Sequence, residues 1–225
     1  MPFFNEDLKF IFVAIELSLL LMKIICIGRN YAAHAKELNN AVPTEAPVIF
    51  MKPATAALKD NKPFYHPDFS KDIHHEAEII LRIGKNGKYV GEKFAKEYIS
   101  DISVGLDFTA RDLQQQQKEK GLPWEIAKAF DNSAVIGTWK PVSEFQDFKN
   151  IHFHLLKNKE QVQTGHTADL LFTFEQIIVY VSQFFTLSQG DIIFTGTPAG
   201  VSKINIGDQL EAFLEGELVL SCEVK

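Results

Sequence analysis

Residues 73–84 read IHHEAEIILRIG, and the way this stretch is read decides the fold. The run IILRI after the acids is apolar and β-branched, which fits a strand lying inside a core rather than over its surface. Side chains two apart on a strand share a face, so Glu76 and Glu78 point the same way. A third acid, Asp107, stands in the equally apolar VGLDF of residues 104–108. Acids alternating on a strand ordinarily form its solvated face. Here both faces are largely apolar, and no Arg or Lys in the sequence adjoins all three acids. Like charges held together repel unless water or a cation separates them, and an unpaired charge inside a strand is strongly unfavourable. A divalent cation resolves both difficulties. Three carboxylates with open positions suit Mg²⁺ or Mn²⁺, whereas zinc would ask for His or Cys. His75 faces away from Glu76, and His74 is read as a neighbour of the acids rather than a ligand.

Working outward, strands are expected at 24–27, 48–51, 76–83, 102–109, 133–138, 151–157, 160–164, 191–194, 208–214 and 217–224. The last pair is joined at Glu215-Gly216. Helices are expected near 31–38, over 92–99, over 110–121 with Gly121 as its end, and over 173–185, where apolar residues recur at helical spacing. Strands outnumber helices and do not alternate with them. The fold class is therefore mainly β with some helices (α+β), not a doubly wound parallel sheet. No Pro/Gly/Ser-rich linker and no repeat divides the chain, so residues 22–225 read as a single catalytic domain.

The chain of 225 residues carries a net charge of -6, which argues against nucleic acid, whose phosphates call for a basic stripe. Cys26 and Cys222 each sit in an apolar strand and read as buried thiols, consistent with a reducing cytoplasm. Residues 10–22 form an apolar run interrupted by Glu16, short of the roughly 20 residues that span a bilayer. The run lacks a small-residue cleavage site, and acids precede it. No membrane association is expected. Because MKIICIGRNY from Met22 already reads as the start of a domain, residues 1–21 are expected to be an N-terminal extension. The alternative is an amphipathic helix packed on the body.

Two further motifs carry chemistry. In GRNYAAHAKE, residues 28–37, His34 and Glu37 are three apart and share a helix face. A surface ion pair is the plain reading. The functional one is a dyad in which the carboxylate orients and charges the imidazole, on a short helix able to move as a lid. In DIIFTGTPAGV, residues 191–201, a strand runs into a turn whose backbone N–H groups and hydroxyls can hold a carboxylate. Arg111, Gln114 and Lys128 are the remaining polar candidates, the first two on one helix face just after Asp107.

Taken together, GRNYAAHAKE, FMKPATAAL, HHEAEIILRIGK, GLDFTARDLQ, AKAFDNSAVIG and LSQGDIIFTGTPAGV resemble the fumarylacetoacetate hydrolase family from about Met22 onward, in its order and spacing. The likeness is greatest to its single-domain acylpyruvase and oxaloacetate decarboxylase branch. The resemblance implies a mixed β-roll or sandwich around a central metal-containing cavity, usually as a homodimer. It implies Mg²⁺ or Mn²⁺ on Glu76, Glu78 and Asp107, with His34 and Glu37 as the dyad and Lys128 as the active-site lysine. Substrate contacts would come from Arg111, Gln114, Gly196 and Thr197. The expected substrate is a small 2-oxo acid, and the expected reaction is hydrolysis of an acylpyruvate to pyruvate and a carboxylic acid, with oxaloacetate decarboxylation by the same enolate. Two alternatives stay open: an isomerase or enol–keto tautomerase of 2-hydroxy-dienedioates, and a non-enzymatic metal-binding module. The chain departs from the family pattern at HH before the acid strand and at Asn158-Lys159, where an Asn-Gly turn is usual.

Overall fold

The computed structural model describes residues 22–37 and 45–225. The expectations for residues 1–21 and for residue 38 lie outside the described residues. The Ala77–Ile83 strand runs through the middle of an eight-stranded sheet. The order across that sheet is Ile49–Lys52, Ile24–Ile27, Ile192–Phe194, Ala77–Ile83, Ile99–Asp107, Ala134–Ile136 and Ala57–Leu58, with Lys140–Pro141 paired onto the Ile99–Asp107 strand. Two of its pairings are parallel, Ile24 with Ile192 and Ala57 with Ala134; the others are antiparallel. A four-stranded antiparallel sheet follows, in the order Glu160–His166, His152–Lys157, Gln209–Leu214 and Glu217–Glu223. Ser202–Lys203, Ile73–His75 and Thr109–Ala110 form a third, three-stranded sheet. The mainly β reading therefore holds, with mixed pairing as expected.

Both faces of the Ala77–Ile83 strand are covered, which is why IILRI shows no solvent side. Ile79 and Leu81 join the larger apolar cluster with Phe153, Leu155, Leu210 and Ala212 of the four-stranded sheet. Ile80 faces the other way, into a smaller cluster with Ile24, Cys26, Ala134 and Phe194. Cys26 and Cys222 are both buried and free.

Helix Phe174–Phe184 starts at Thr173 with a reciprocal capping box to Gln176, which satisfies two otherwise orphaned backbone donors. Helix Arg111–Lys120 ends at Gly121, whose φ of 63° is the left-handed cap that glycine adopts without cost. The helix expected over 92–99 is shorter. It runs over Glu92–Ala95, tightens to a 3-10 turn over Lys96–Tyr98, and gives way at Ile99, which pairs with Ile83 in the sheet. The Asn158-Lys159 turn keeps the geometry that Asn-Gly usually serves, with φ of 55° and 71°. The Asn158 side chain offsets the strain by bonding Asp208 and the Gln209 N–H.

What this architecture does for the acids is specific. The chain leaves the three-stranded sheet at His75 and enters the eight-stranded sheet at Ala77, so Glu76 sits on the seam. Ala77 is registered against Leu106 and Glu78 against Gly105. The Asp107 N–H then donates to the Glu76 carbonyl at 2.8 Å. Register alone brings the three carboxylates to one place. Among the described residues, no helix is long and apolar enough to cross a membrane.

Candidate metal and substrate site

Oxygens of Glu76, Glu78 and Asp107 lie within 4.8 Å of one another, and all three residues are buried. The sequence shows no Arg or Lys adjoining all three acids, and among the described residues none does, but folding brings three cations to two of them. Lys128 Nζ lies 2.6 Å from Glu76 Oε2 and 2.7 Å from Asp107 Oδ2. Arg111 Nη2 lies 2.6 Å from Glu76 Oε1. Lys52 Nζ lies 2.8 Å from Asp107 Oδ1, though outside hydrogen-bonding orientation, since that oxygen accepts no hydrogen bond. Among the described residues, Glu78 receives only the Gly196 N–H, at 2.7 Å.

The titration behaviour follows from this asymmetry. Burial alone would raise the Glu76 carboxyl, but Lys128, Arg111 and His34 outweigh it and hold Glu76 well below the usual range. Burial pushes Glu78 well up, and the charges of Asp107 and Glu76 add to it. Lys128 is itself raised, since Asp107 and Glu76 overcome the cost of its burial. Among the described residues, Glu78 is thus the carboxylate without a cation in contact, and Asp107 Oδ1 lies beside the Lys52 ammonium without a well-oriented hydrogen bond. An all-oxygen set with these two deficits fits a hard divalent cation such as Mg²⁺ or Mn²⁺. Together with Lys52, Arg111 and Lys128, such an ion would leave the pocket positive, matched to an anionic ligand.

The other expected residues gather around this centre. Arg111 Nη1 donates to Gln114 Oε1 at 2.7 Å, fixing both side chains on one helix face. Gln114 and Gln117 are buried while Gln115 and Gln116 are exposed, so the QQQQ run is an amphipathic face. His34 is buried, and its Nδ1 lies 3.2 Å from Glu37 Oε2. Burial lowers the imidazole below its ordinary value, against the opposing pull of Glu76 and Glu37. The turn expected to hold a carboxylate holds two, both from this chain: Gly196 N–H takes Glu78, and Gly200 N–H takes Glu37 Oε1 at 3.0 Å. His74 bonds Asp72 at 3.0 Å and stays a neighbour.

Three participants escaped the sequence reading. Lys52 closes the Ile49–Lys52 strand with its ammonium fully buried, also bonded to Ser133 Oγ at 2.9 Å and to the Lys128 carbonyl. A lysine ending a short apolar strand was the available signal. Asn30 is fully buried and ties the base of the Ala32–Glu37 helix to Phe172 and Thr195. Gln163 reaches the site from the four-stranded sheet and bonds Thr197 Oγ1 at 2.8 Å. A cavity of about 290 Å³ adjoins the centre, with Phe50, Met51, Leu122, Trp124 and Lys128 in its wall. Lys118 lies over the Trp124 ring at 5.6 Å. Burial, then Arg111 and Arg29, lower its ammonium to about 8.

The family described as "Fumarylacetoacetate (FAA) hydrolase C-terminal" matches residues 23–225. The chain belongs to this family. It is 40% identical over 202 residues to the mitochondrial oxaloacetate tautomerase FAHD1 of Bos taurus, covering 90% of this chain and 91% of that one. It is 42% identical over 195 residues to the oxaloacetate tautomerase YcgM of Escherichia coli K12, with 86% and 89% covered. Fumarylpyruvate hydrolase from Pseudomonas aeruginosa, solved with Mn²⁺ and pyruvate, superposes with a TM-score of 0.85 at 36% identity, covering 90% and 88%. The protein is thus an enzyme of the fumarylacetoacetate hydrolase family, which removes the reading as a non-enzymatic module.

Proposed function

We propose that residues 22–225 act as one catalytic domain on small 2-oxo acids and catalyse enol–keto tautomerisation of oxaloacetate. The observation that carries this reading is the buried Glu76–Glu78–Asp107 set, flanked by Lys52, Arg111 and Lys128. The names of the relatives support the choice of reaction.

Glu76, Glu78 and Asp107 would hold Mg²⁺ or Mn²⁺, which when bound supplies Lewis-acid stabilisation of negative charge on the 2-oxo acid oxygens. Arg111 and Gln114 orient the substrate carboxylate, their directions set beforehand by their mutual bond. Gly196 and Thr197 border the same end. The Lys128 ammonium offsets the charge of the enolate. With the His34 Nδ1–H hydrogen-bonded to Glu37, Nε2 is the base that takes a proton from C3 of the keto form, the enolate oxygen then taking a proton from solvent. In reverse, the enol O–H is lost to solvent and the imidazolium delivers its proton to C3.

A second reading, acylpyruvate hydrolysis, is favoured by the closed His34–Glu37–Gly200 arrangement. In it His34 takes a proton from water attacking the distal carbonyl, and Lys128 offsets the tetrahedral intermediate. Carbon–carbon cleavage then gives pyruvate and a carboxylic acid. Loss of CO₂ from oxaloacetate would leave the same enolate without a water.

The test follows oxaloacetate enol absorbance with Mg²⁺ and with chelator, beside pyruvate release from oxaloacetate and from acetylpyruvate. Faster enol decay with Mg²⁺ supports tautomerisation. Pyruvate release from acetylpyruvate without any effect on the enol replaces it with hydrolysis. A homodimer is part of the proposal, supported by exposed Phe69 and Ile126 beside a groove of about 530 Å³. Sedimentation of Ile126→Glu as a dimer would remove that surface from the interface.

A further inference from the structure

Gln163 is only 2% exposed, although its strand belongs to the four-stranded sheet and the carboxylates to another. Its side chain spends every bond an amide can make. Nε2 donates to Thr197 Oγ1 at 2.8 Å and to the Pro198 carbonyl at 3.0 Å. Oε1 accepts the Ala77 N–H at 3.0 Å and bonds His75 Nδ1 at 2.8 Å. Ala77 N can only donate and the Pro198 carbonyl can only accept, so the orientation of the amide is fixed. Thr197 Oγ1, having accepted from Gln163, donates its own O–H to the Ala77 carbonyl at 2.8 Å. At the other end His75 must carry its proton on Nδ1, and Nε2 faces Ser202 Oγ at 2.8 Å. Lys157 Nζ donates to that hydroxyl at 3.1 Å. The relay has one direction, from a surface ammonium to the strand of the acids.

Ala77 lies between Glu76 and Glu78, and the turn that Gln163 grips carries both internal carboxylate contacts, Gly196 to Glu78 and Gly200 to Glu37. The turn has little room to slide. Gly200 has a φ of 99°, a Cβ there would strike the Val162 carbonyl, and Gln163 Cγ would lie 3.3 Å from it. We propose that Gln163 is a positioning residue, which fixes the 196–200 turn against the Ala77 amide and thereby sets Glu78 and the Glu37 end of the lid together. It acts through Thr197 and the turn and does not itself touch substrate.

The inference rests on the 2-oxo acid reading of this site, and its test separates the two. Gln163→Met keeps length and volume but loses all four hydrogen bonds. Gln163→Glu keeps the accepted pair and loses the donated pair. Oxalate affinity in Mg²⁺, kcat, KM and Tm are measured for wild type, both variants, Thr197→Val and the Gln163→Met/Thr197→Val double variant. The expected result is an oxalate Kd raised about tenfold, the scale of one or two lost buried hydrogen bonds, with kcat reduced. The double variant should bind oxalate no worse than Thr197→Val alone, because the two residues act as one unit. If Gln163→Met fails to fold, Gln163→Glu carries the same expectation. A lowered Tm with oxalate affinity unchanged, or additive losses in the double variant, would make Gln163 a packing residue and overturn the proposal. Absence of Mg²⁺-dependent oxalate binding in wild type would instead overturn the site reading itself, and this inference with it.

Discussion

Glu76 and Asp107 each face two cations inside the core, whereas the Ala32–Glu37 helix is held over them by much less. Its His34–Glu37 pair spans 3.2 Å with Glu37 one-third exposed, and a single backbone bond joins Glu37 to Gly200. The two regions divide the labour. The carboxylate pocket is rigid because each buried charge depends on its partners, and its geometry cannot relax without stranding one of them. In the proposed reaction this helix would act as a lid that contributes a base while adding little to stability, as befits an element that has to admit and release a ligand.

Removing charges from the pocket should break this comparison most sharply. Asp107→Ala strands the buried Lys52 ammonium and leaves Lys128 with Glu76 as its carboxylate partner, at a cost of about 3–5 kcal/mol. Thermal unfolding should show that loss, together with loss of the Mg²⁺ response; a Tm within a degree of wild type would contradict the charge accounting. Lys128→Met leaves Glu76 and Asp107 facing each other with one cation fewer. Its activity should fall by about 10²–10³, the scale of one lost electrostatic contact to developing charge. Activity within threefold of wild type would remove Lys128 from the machinery.

Most of the pocket was legible because strand alternation and chain register are local rules. Glu76 and Glu78 share a face by period, and Asp107 follows from an apolar run that has to pair with theirs. The cations were less legible. Lys52 and Lys128 lie 55 and 21 residues from Asp107 in number, and nothing local announces that they converge upon it. The sequence argument for a metal therefore overstated the isolation of the acids, and it survives because Glu78 alone is left without a cation. Gln163 was hidden for the same reason, since its strand belongs to another sheet. Turn chemistry was half legible: Gly-Thr-Pro-Ala-Gly suggested a carboxylate holder, but only the fold shows that the carboxylates are Glu78 and Glu37.

Changes in the lid should act in the opposite sense, large in rate and small in stability. His34→Ala should lower turnover by about 10²–10⁴, the range for a lost general base. Oxalate affinity in Mg²⁺ should hold within about threefold, since the bonds among the pocket residues do not pass through His34. Equal loss of oxalate binding would mean that the lid and the pocket are one unit.

Glu37→Gln is the finest probe, because it keeps the shape of the lid and removes only charge. Burial already lowers the His34 imidazole below its ordinary value of about 6.5, and Glu37 pulls against that shift by favouring the charged form. Taking the carboxylate away lets burial act unopposed by it, so the imidazole falls further. His34 must be neutral to serve as base, and the rate is therefore lost as pH falls through its folded value. The acid limb of the kcat profile should accordingly lie below 6.5 in wild type and lower still in Glu37→Gln, with a modest drop at the plateau. A limb displaced toward higher pH would have the wrong sign for a buried imidazole steadied by Glu37, and would assign the titration to another group.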